Sequence, residues 1–293
     1  MSEIETIDPE RLLLPSASAF ERVVLCPGSV RLCATLKSIP ADAEDASDGQ
    51  PDSKDDELAA SGTRIHRAAE TGNTLELDAD EAEIYRQGIK HEEAIVEKWM
   101  ADKNLDECEE GPREMRVWLH DPLNFPELLG SVKLDRHYYN KAKGCLLSVD
   151  WKTGFNPNLP PSPRSWQLRF GVVALWREEY DWMKEARVAH CKAQAKCTTQ
   201  DYCDYNEADL RHSWDSIQFH LWESAQPDAQ LRPGVHCRWC PAKAHCPQSA
   251  AFAMVPAVMT SNLPRGTQLD PVLAVSTLAP QALVKLWENS NVI

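Results

Sequence analysis

The feature that most constrains this chain is a group of thiols late in the sequence. Cys237-Arg238-Trp239-Cys240 runs into Pro241-Ala242-Lys243-Ala244-His245-Cys246, a C-x2-C-x5-C spacing. A C-x2-C turn aims two thiolates at one ion or cluster, and the third closes the cup. One coordination position stays open for a residue from elsewhere. Cys26, followed by Pro27 and Gly28, is the leading candidate, Cys33 is second, and His245 would complete a zinc site locally. Both a structural zinc and an iron–sulfur cluster fit this reading. The chain has 10 cysteines. In a reducing compartment they do not form structural disulfides, so their clustering points to metal ligation. Cys191, Cys197 and Cys203 recur every six residues beside His190. They read either as a second metal site or as small apolar fillers or exposed thiols. Cys108 and Cys145 read as structural.

Charge and hydropathy narrow the class. The sequence opens on an acidic Met1-Ser2-Glu3-Ile4-Glu5, without the basic-then-apolar pattern of a signal peptide. No apolar run approaches the roughly 18 residues that span a bilayer. A cytoplasmic protein with no membrane partner is expected. The net charge is −14, from 31 Lys+Arg against 45 Asp+Glu. That excludes a large uniform basic surface, but not a local basic groove. Eight of the acids lie in residues 42–57 with a single lysine.

The pattern along the chain implies five parts. Residues 1–37 form an N-terminal segment, with helical character over 19–36 interrupted at Cys26-Pro27-Gly28. Residues 38–57 form an acidic flexible loop. Residues 58–223 form the core, 224–250 the cysteine knuckle, and 251–293 a tail with a short helix near Pro280–Glu288. Within the core, helical periodicity covers 57–72 and 79–102. The period then shifts to two over Arg113–Leu119, Leu128–Tyr139 and Cys145–Trp151. A helix follows over Arg164–Met183, a fourth strand over Arg187–Ala193, and a helix over Asn206–Ser224. Helices, three strands, helix, strand, helix and knuckle make a mixed α/β core with an attached metal-binding lobe.

Chemistry concentrates on two adjacent strands. Asp150 and Lys152 share one face by the period-2 rule, and Asp135 on the preceding strand is placed to face the same side. Paired carboxylates suit Mg²⁺, a hard cation that prefers oxygen ligands. Such an ion polarises a phosphoryl oxygen, and a neighbouring lysine orients water or stabilises developing negative charge. His66 and Glu70 share a helix face. Glu114 is a further candidate ligand on the first strand.

Taken in order, these pieces resemble the PD-(D/E)xK nuclease superfamily, in its RecB-like and AddB-like branch with a C-terminal iron–sulfur lobe. The matching residues are Ser16-Ala17-Ser18, Cys26-Pro27, Gly62 to His66, Gly130 to Asp135, Asp150-Trp151-Lys152-Thr153-Gly154, Gln167, and Cys237 through Cys246. The resemblance implies a mixed central sheet flanked by helices, a restriction-endonuclease-like core, with an iron–sulfur lobe built from both chain ends. It implies a 4Fe–4S cluster on Cys26, Cys237, Cys240 and Cys246. It makes Asp135, Asp150 and Lys152 catalytic, and His66, Asp135, Asp150 and the Trp151 carbonyl ligands for Mg²⁺ or Mn²⁺. Gln167 begins the family's Q-x3-Y motif, which positions nucleic acid, although Gly171 stands in the tyrosine position. Gly130 to Asp135 is two residues longer than the common G-x2-D spacing.

The expected function is therefore a metal-dependent DNA nuclease. It would act as an exonuclease on single-stranded DNA or DNA ends, in recombination, repair, replication or a phage or defence process. A recombination or replication protein would be a fitting partner. Arg164, Trp166 and Arg169 are candidates to line the strand path. Two alternatives are a catalytically weak nucleic-acid- or protein-binding module on the same fold, and a zinc-stabilised interaction protein.

Overall fold

The computed structural model describes residues 14–37, 53–123, 127–154, 159–196, 199–234, 236–237 and 240–249. The acidic stretch 38–52, Cys197 and the tail 251–293 lie outside the described residues. Two compact units emerge, Met1–Phe20 with Asp45–Gln218, and Glu21–Glu44 with Phe219–Ile293.

The first unit begins with helices α3 (Ser53–Thr71) and α4 (Ala79–Lys103), after α1 (Phe20–Leu25) and α2 (Ser29–Lys37). Helix α3 starts inside the stretch read from sequence as an acidic loop. Helix α4 has a capping box. Asp78 accepts from the Glu81 amide at 2.8 Å and Glu81 accepts from the Asp78 amide at 3.2 Å, and Asn104 closes the far end in a left-handed conformation.

A five-stranded sheet has the order β1-β4-β5-β6-β7, comprising β1 (Glu109–Glu110), β4 (Arg136–Asn140), β5 (Cys145–Lys152), β6 (Glu185–Lys192) and β7 (Tyr202–Asn206). Strands β5 and β6 are parallel and the other pairs antiparallel. A separate antiparallel hairpin joins β2 (Met115–His120) to β3 (Leu128–Leu134). The stretch 128–139 is thus two strands in different sheets, not one. Arg136 and His137 are both buried, which breaks the alternation, and the chain bends at Asp135 between β3 and β4.

Strand β5 has two working faces. Leu147, Val149 and Trp151 pack with Ile65, Ala69, Ile95 and Trp99 of α3 and α4. By alternation Asp150 and Lys152 take the opposite face. There they meet helix α5 (Trp166–Ala174), which packs against β3, β5 and β6. The single helix read over 164–183 resolves into three pieces. A 3-10 turn (Ser162–Arg164) is set by Pro161 and Pro163, Ser165 caps α5 by accepting from the Leu168 amide, and the coil widens to i+5 bonding over Leu175–Glu179. Helix α6 (Glu207–Ala225) follows β7.

The second unit holds the Cys26-Pro27-Gly28 break between α1 and α2. The Gly28 amide bonds the Gln230 carbonyl at 3.0 Å, and a Cβ on Gly28 would lie 2.5 Å from the Ala229 carbonyl oxygen. Glycine is the residue that permits this close approach.

Candidate active site and thiol lobe

The site in the first unit assembles where the chain changes sheets. His66 projects from α3, Glu114 precedes β2, and Asp135 sits at the bend between β3 and β4. One donor atom from each of the three lies within 4.8 Å of the others, the group of this kind found among the described residues. His66 Nδ1 is 3.5 Å from Glu114 Oε1 and 3.7 Å from Asp135 Oδ1. Glu114 reaches this point because its backbone is left-handed, with φ of 51°, and its amide donates to the Asp135 carbonyl at 3.2 Å. It therefore lies just ahead of the first hairpin strand rather than on it.

Asp135 is tied to β5 by its other oxygen, which accepts from the Trp151 amide at 2.6 Å. Burial, reinforced by the Asp150 charge, pushes the Asp135 carboxyl up to about 7. Asp150 behaves oppositely. Burial works against its charge, but Lys152 and His190 outweigh it and hold the carboxyl down to about 2. Lys152 Nζ is 2.8 Å from Asp150 Oδ2, and His190 Nδ1 is 3.1 Å from the same oxygen. Gln167 of α5 completes the cage. Its amide nitrogen donates to Asp150 Oδ1 at 2.7 Å and its carbonyl accepts from Lys152 at 3.0 Å. Burial opposes the Lys152 charge as well, yet Asp150 more than compensates and raises the ammonium above its usual range. For His66, burial is likewise outweighed, by the Glu114 hydrogen bond and the Asp135 charge, and the imidazole rises.

His190 is the functional neighbour that sequence reading missed. It was visible only as a residue beside Cys191. The parallel register that sets Asp150 against His190 joins strands separated by a helix, and no local pattern signals it. Arg164 is exposed in the 3-10 turn. The Arg169 guanidinium lies 4.5 Å from the Trp166 ring centre and its Nη2 donates to the Pro163 carbonyl, so this pair is engaged within its own helix end. At Gly171 a Cβ would lie 3.2 Å from Leu134 Cδ2, so a side chain there would require the leucine to give way. Gly130 is explained by packing, because a Cβ would lie 2.7 Å from the Pro15 carbonyl oxygen.

In the second unit, Cys26, Cys237, Cys240 and Cys246 line one cavity. Backbone amides point at two of the sulfurs, from Arg232 to Cys26 at 3.3 Å and from Gly234 to Cys237 at 3.4 Å. Burial raises the Cys26 thiol, and the Cys237 and Cys246 sulfurs act on it in the same direction. Cys33 is raised by burial too and hydrogen-bonds Cys240. Cys108, Cys145, Cys191 and Cys203 belong to the first unit. Cys191 is fully buried and bonds the Gly88 carbonyl, and Cys203 lies on β7.

Among the described residues, no helix is long and apolar enough to cross a membrane. The crystal structure of SSO0001 is 12% identical, over 84% of this chain and 90% of that chain, with a TM-score of 0.33. No curated protein matches the chain. The family model for the PD-(D/E)XK nuclease superfamily matches residues 16–247, which include every residue of the site just described, and the chain belongs to that superfamily.

Proposed function

We propose that this protein is a metal-dependent deoxyribonuclease of the RecB-like and AddB-like type, acting as an exonuclease on single-stranded DNA or DNA ends in recombination, repair, replication or a phage or defence process. The observation that carries the reading is the convergence of His66, Glu114 and Asp135 in a chain that also holds Lys152 charged against Asp150. An imidazole nitrogen and carboxylate oxygens suit Mg²⁺ or Mn²⁺. The raised Asp135 carboxyl marks a buried acid, with the Asp150 charge beside it, whose ionised form a cation would stabilise. His66, Glu114 and Asp135 would hold the ion, with Asp150 and the Trp151 carbonyl as further ligands. When bound, the ion supplies charge for a phosphoryl oxygen and lowers the pKa of coordinated water.

The chain's own residues do the positioning. Lys152 is a charged donor, not a base, at neutral pH. It orients the attacking water and stabilises charge that develops on the phosphate. Asp150 and Gln167 fix the lysine in one place, and His190 fixes Asp150. The Trp151 amide fixes Asp135. Basic and aromatic groups near α5, Arg164 among them, would guide the strand.

The thiol lobe fits a 4Fe–4S cluster on Cys26, Cys237, Cys240 and Cys246. A structural zinc is the alternative on the same sulfurs. The cluster's role would be structural, joining early and late segments of the second unit.

Hydrolysis of a labelled single-stranded oligonucleotide with Mn²⁺ tests the reading. Wild type should cut, and Asp135→Asn or omission of metal should abolish cutting. Gly171 in place of the motif's tyrosine favours the second reading, a binding module with little catalysis. Wild type and Asp135→Asn equally inactive would select it.

A further inference from the structure

The β2–β3 hairpin has one buried and one open face. Val117, Leu119, Val132 and Leu134 point inward and are at most 5% exposed. Arg116, Trp118, Ser131 and Lys133 lie on the other face, with Arg116 and Lys133 exposed, Trp118 half-buried and Ser131 buried. Arg116 stands directly across the ladder from Lys133. Like charges placed opposite each other are unfavourable unless an anion joins them. In a chain with a net charge of −14, two facing cations are a distinctive local feature.

Their existing partners divide unequally. Lys133 Nζ lies 2.6 Å from Glu114 Oε2, so it borders the His66, Glu114 and Asp135 group directly. Among the described residues, Arg116 donates to the Ser131 hydroxyl at 3.1 Å and to no carboxylate, and its guanidinium lies 5.8 Å from the Trp118 ring centre. A facing pair of cations and then an aromatic ring thus lie along a β-ribbon whose near end borders the acidic site. The repeating chemistry of a single-stranded nucleic acid, phosphates with bases between, matches that series in charge and in stacking capacity.

We propose that the open face of the β2–β3 hairpin is a track for single-stranded nucleic acid. Lys133 and Arg116 receive phosphates beside the scissile one, and Trp118 stacks on a base. This rests on the nuclease reading for its direction toward the site, but it is tested by binding alone.

The experiment is fluorescence anisotropy of a labelled oligothymidine with the full chain, in chelator, over a series of salt concentrations. Arg116→Gln should weaken binding and lower the salt slope by about 0.7, the loss of one phosphate contact. Trp118→Leu should weaken binding on the order of tenfold with the slope unchanged, and Trp118→Phe should restore most of it. Arg211→Gln, on an exposed pair with Glu207 in α6, serves as the surface control and should bind as wild type. Circular dichroism verifies that each variant is folded. Arg116→Gln and Trp118→Leu binding with wild-type affinity and slope would overturn the track while leaving cleavage by the wild type untouched. A wild type that binds duplex alone would overturn it as well. Binding with the expected losses but no hydrolysis under any divalent metal supports the track and removes the nuclease reading instead.

Discussion

The Trp151 backbone amide donates to Asp135 Oδ2 at 2.6 Å, so a strand of the main sheet holds the carboxylate that lies at the bend out of the hairpin. Asp135 is where the chain leaves one sheet for the other. That single bond makes the position of a hairpin residue depend on β5. The indole of the same tryptophan is fixed from below, donating to Glu92 at 3.1 Å.

Glu114 is the proposed ligand whose position depends on an unusual backbone. Glu114→Ala should weaken Mn²⁺ binding by at least the 10–100-fold typical of disturbing a metal site. Isothermal titration with Mn²⁺ measures this. Unchanged affinity would remove Glu114 from the site.

Gln167 joins Asp150 to Lys152. Gln167→Leu should leave both charged partners in place but free to move, and lower kcat on the order of 10–100-fold with a smaller change in KM. Steady-state kinetics on a labelled oligonucleotide provides the reading. A pure KM effect would mean that Gln167 acts on substrate binding instead.

The Arg64–Glu81 pair gives a pH signature outside the site. The Arg64 hydrogen bond is the largest of the influences that hold the Glu81 carboxyl at about 2, below its usual 4.5. A lowered carboxyl stabilises the fold fully above its unfolded value and loses that stabilisation as pH falls through the folded one. Thermal melts should show wild type losing more stability than Glu81→Gln between about pH 5 and pH 2. Parallel curves would contradict the pairing. The effect is modest, because Arg64 is 39% exposed and its charge is screened.

The thiol lobe predicts a clean contrast. Cys26→Ser and Cys237→Ser should lose bound iron, visible absorbance and thermal stability, whereas Cys33→Ser should keep the iron. Iron analysis of anaerobically purified protein decides it. Retained iron in Cys26→Ser with loss in Cys33→Ser would exchange their roles, and a colourless protein containing zinc would replace the cluster.

Much of this fold was legible because its elements are locally encoded. The long helix over 79–102 announces itself by periodicity, and the structure extends it by one residue, to Lys103. The pairing of Asp150 with Lys152 follows from strand alternation alone. What stayed hidden was set by contacts distant in sequence. Alternation reads straight through Asp135, because the bend there is fixed by pairing of β3 with β2 and of β4 with β5. Strand β7 is short, and its partner β6 supplies the order that its own sequence lacks. Glu114 reads as a strand residue for a related reason, since no residue pattern announces a left-handed glutamate.

Metal-dependent hydrolysis by wild type and Lys152→Ala, at equal metal and oligonucleotide concentrations, tests the central claim most directly. Loss of one preorganised charged donor should slow cleavage roughly 10²–10³-fold while metal binding persists. Cleavage by Lys152→Ala at the wild-type rate would contradict the account.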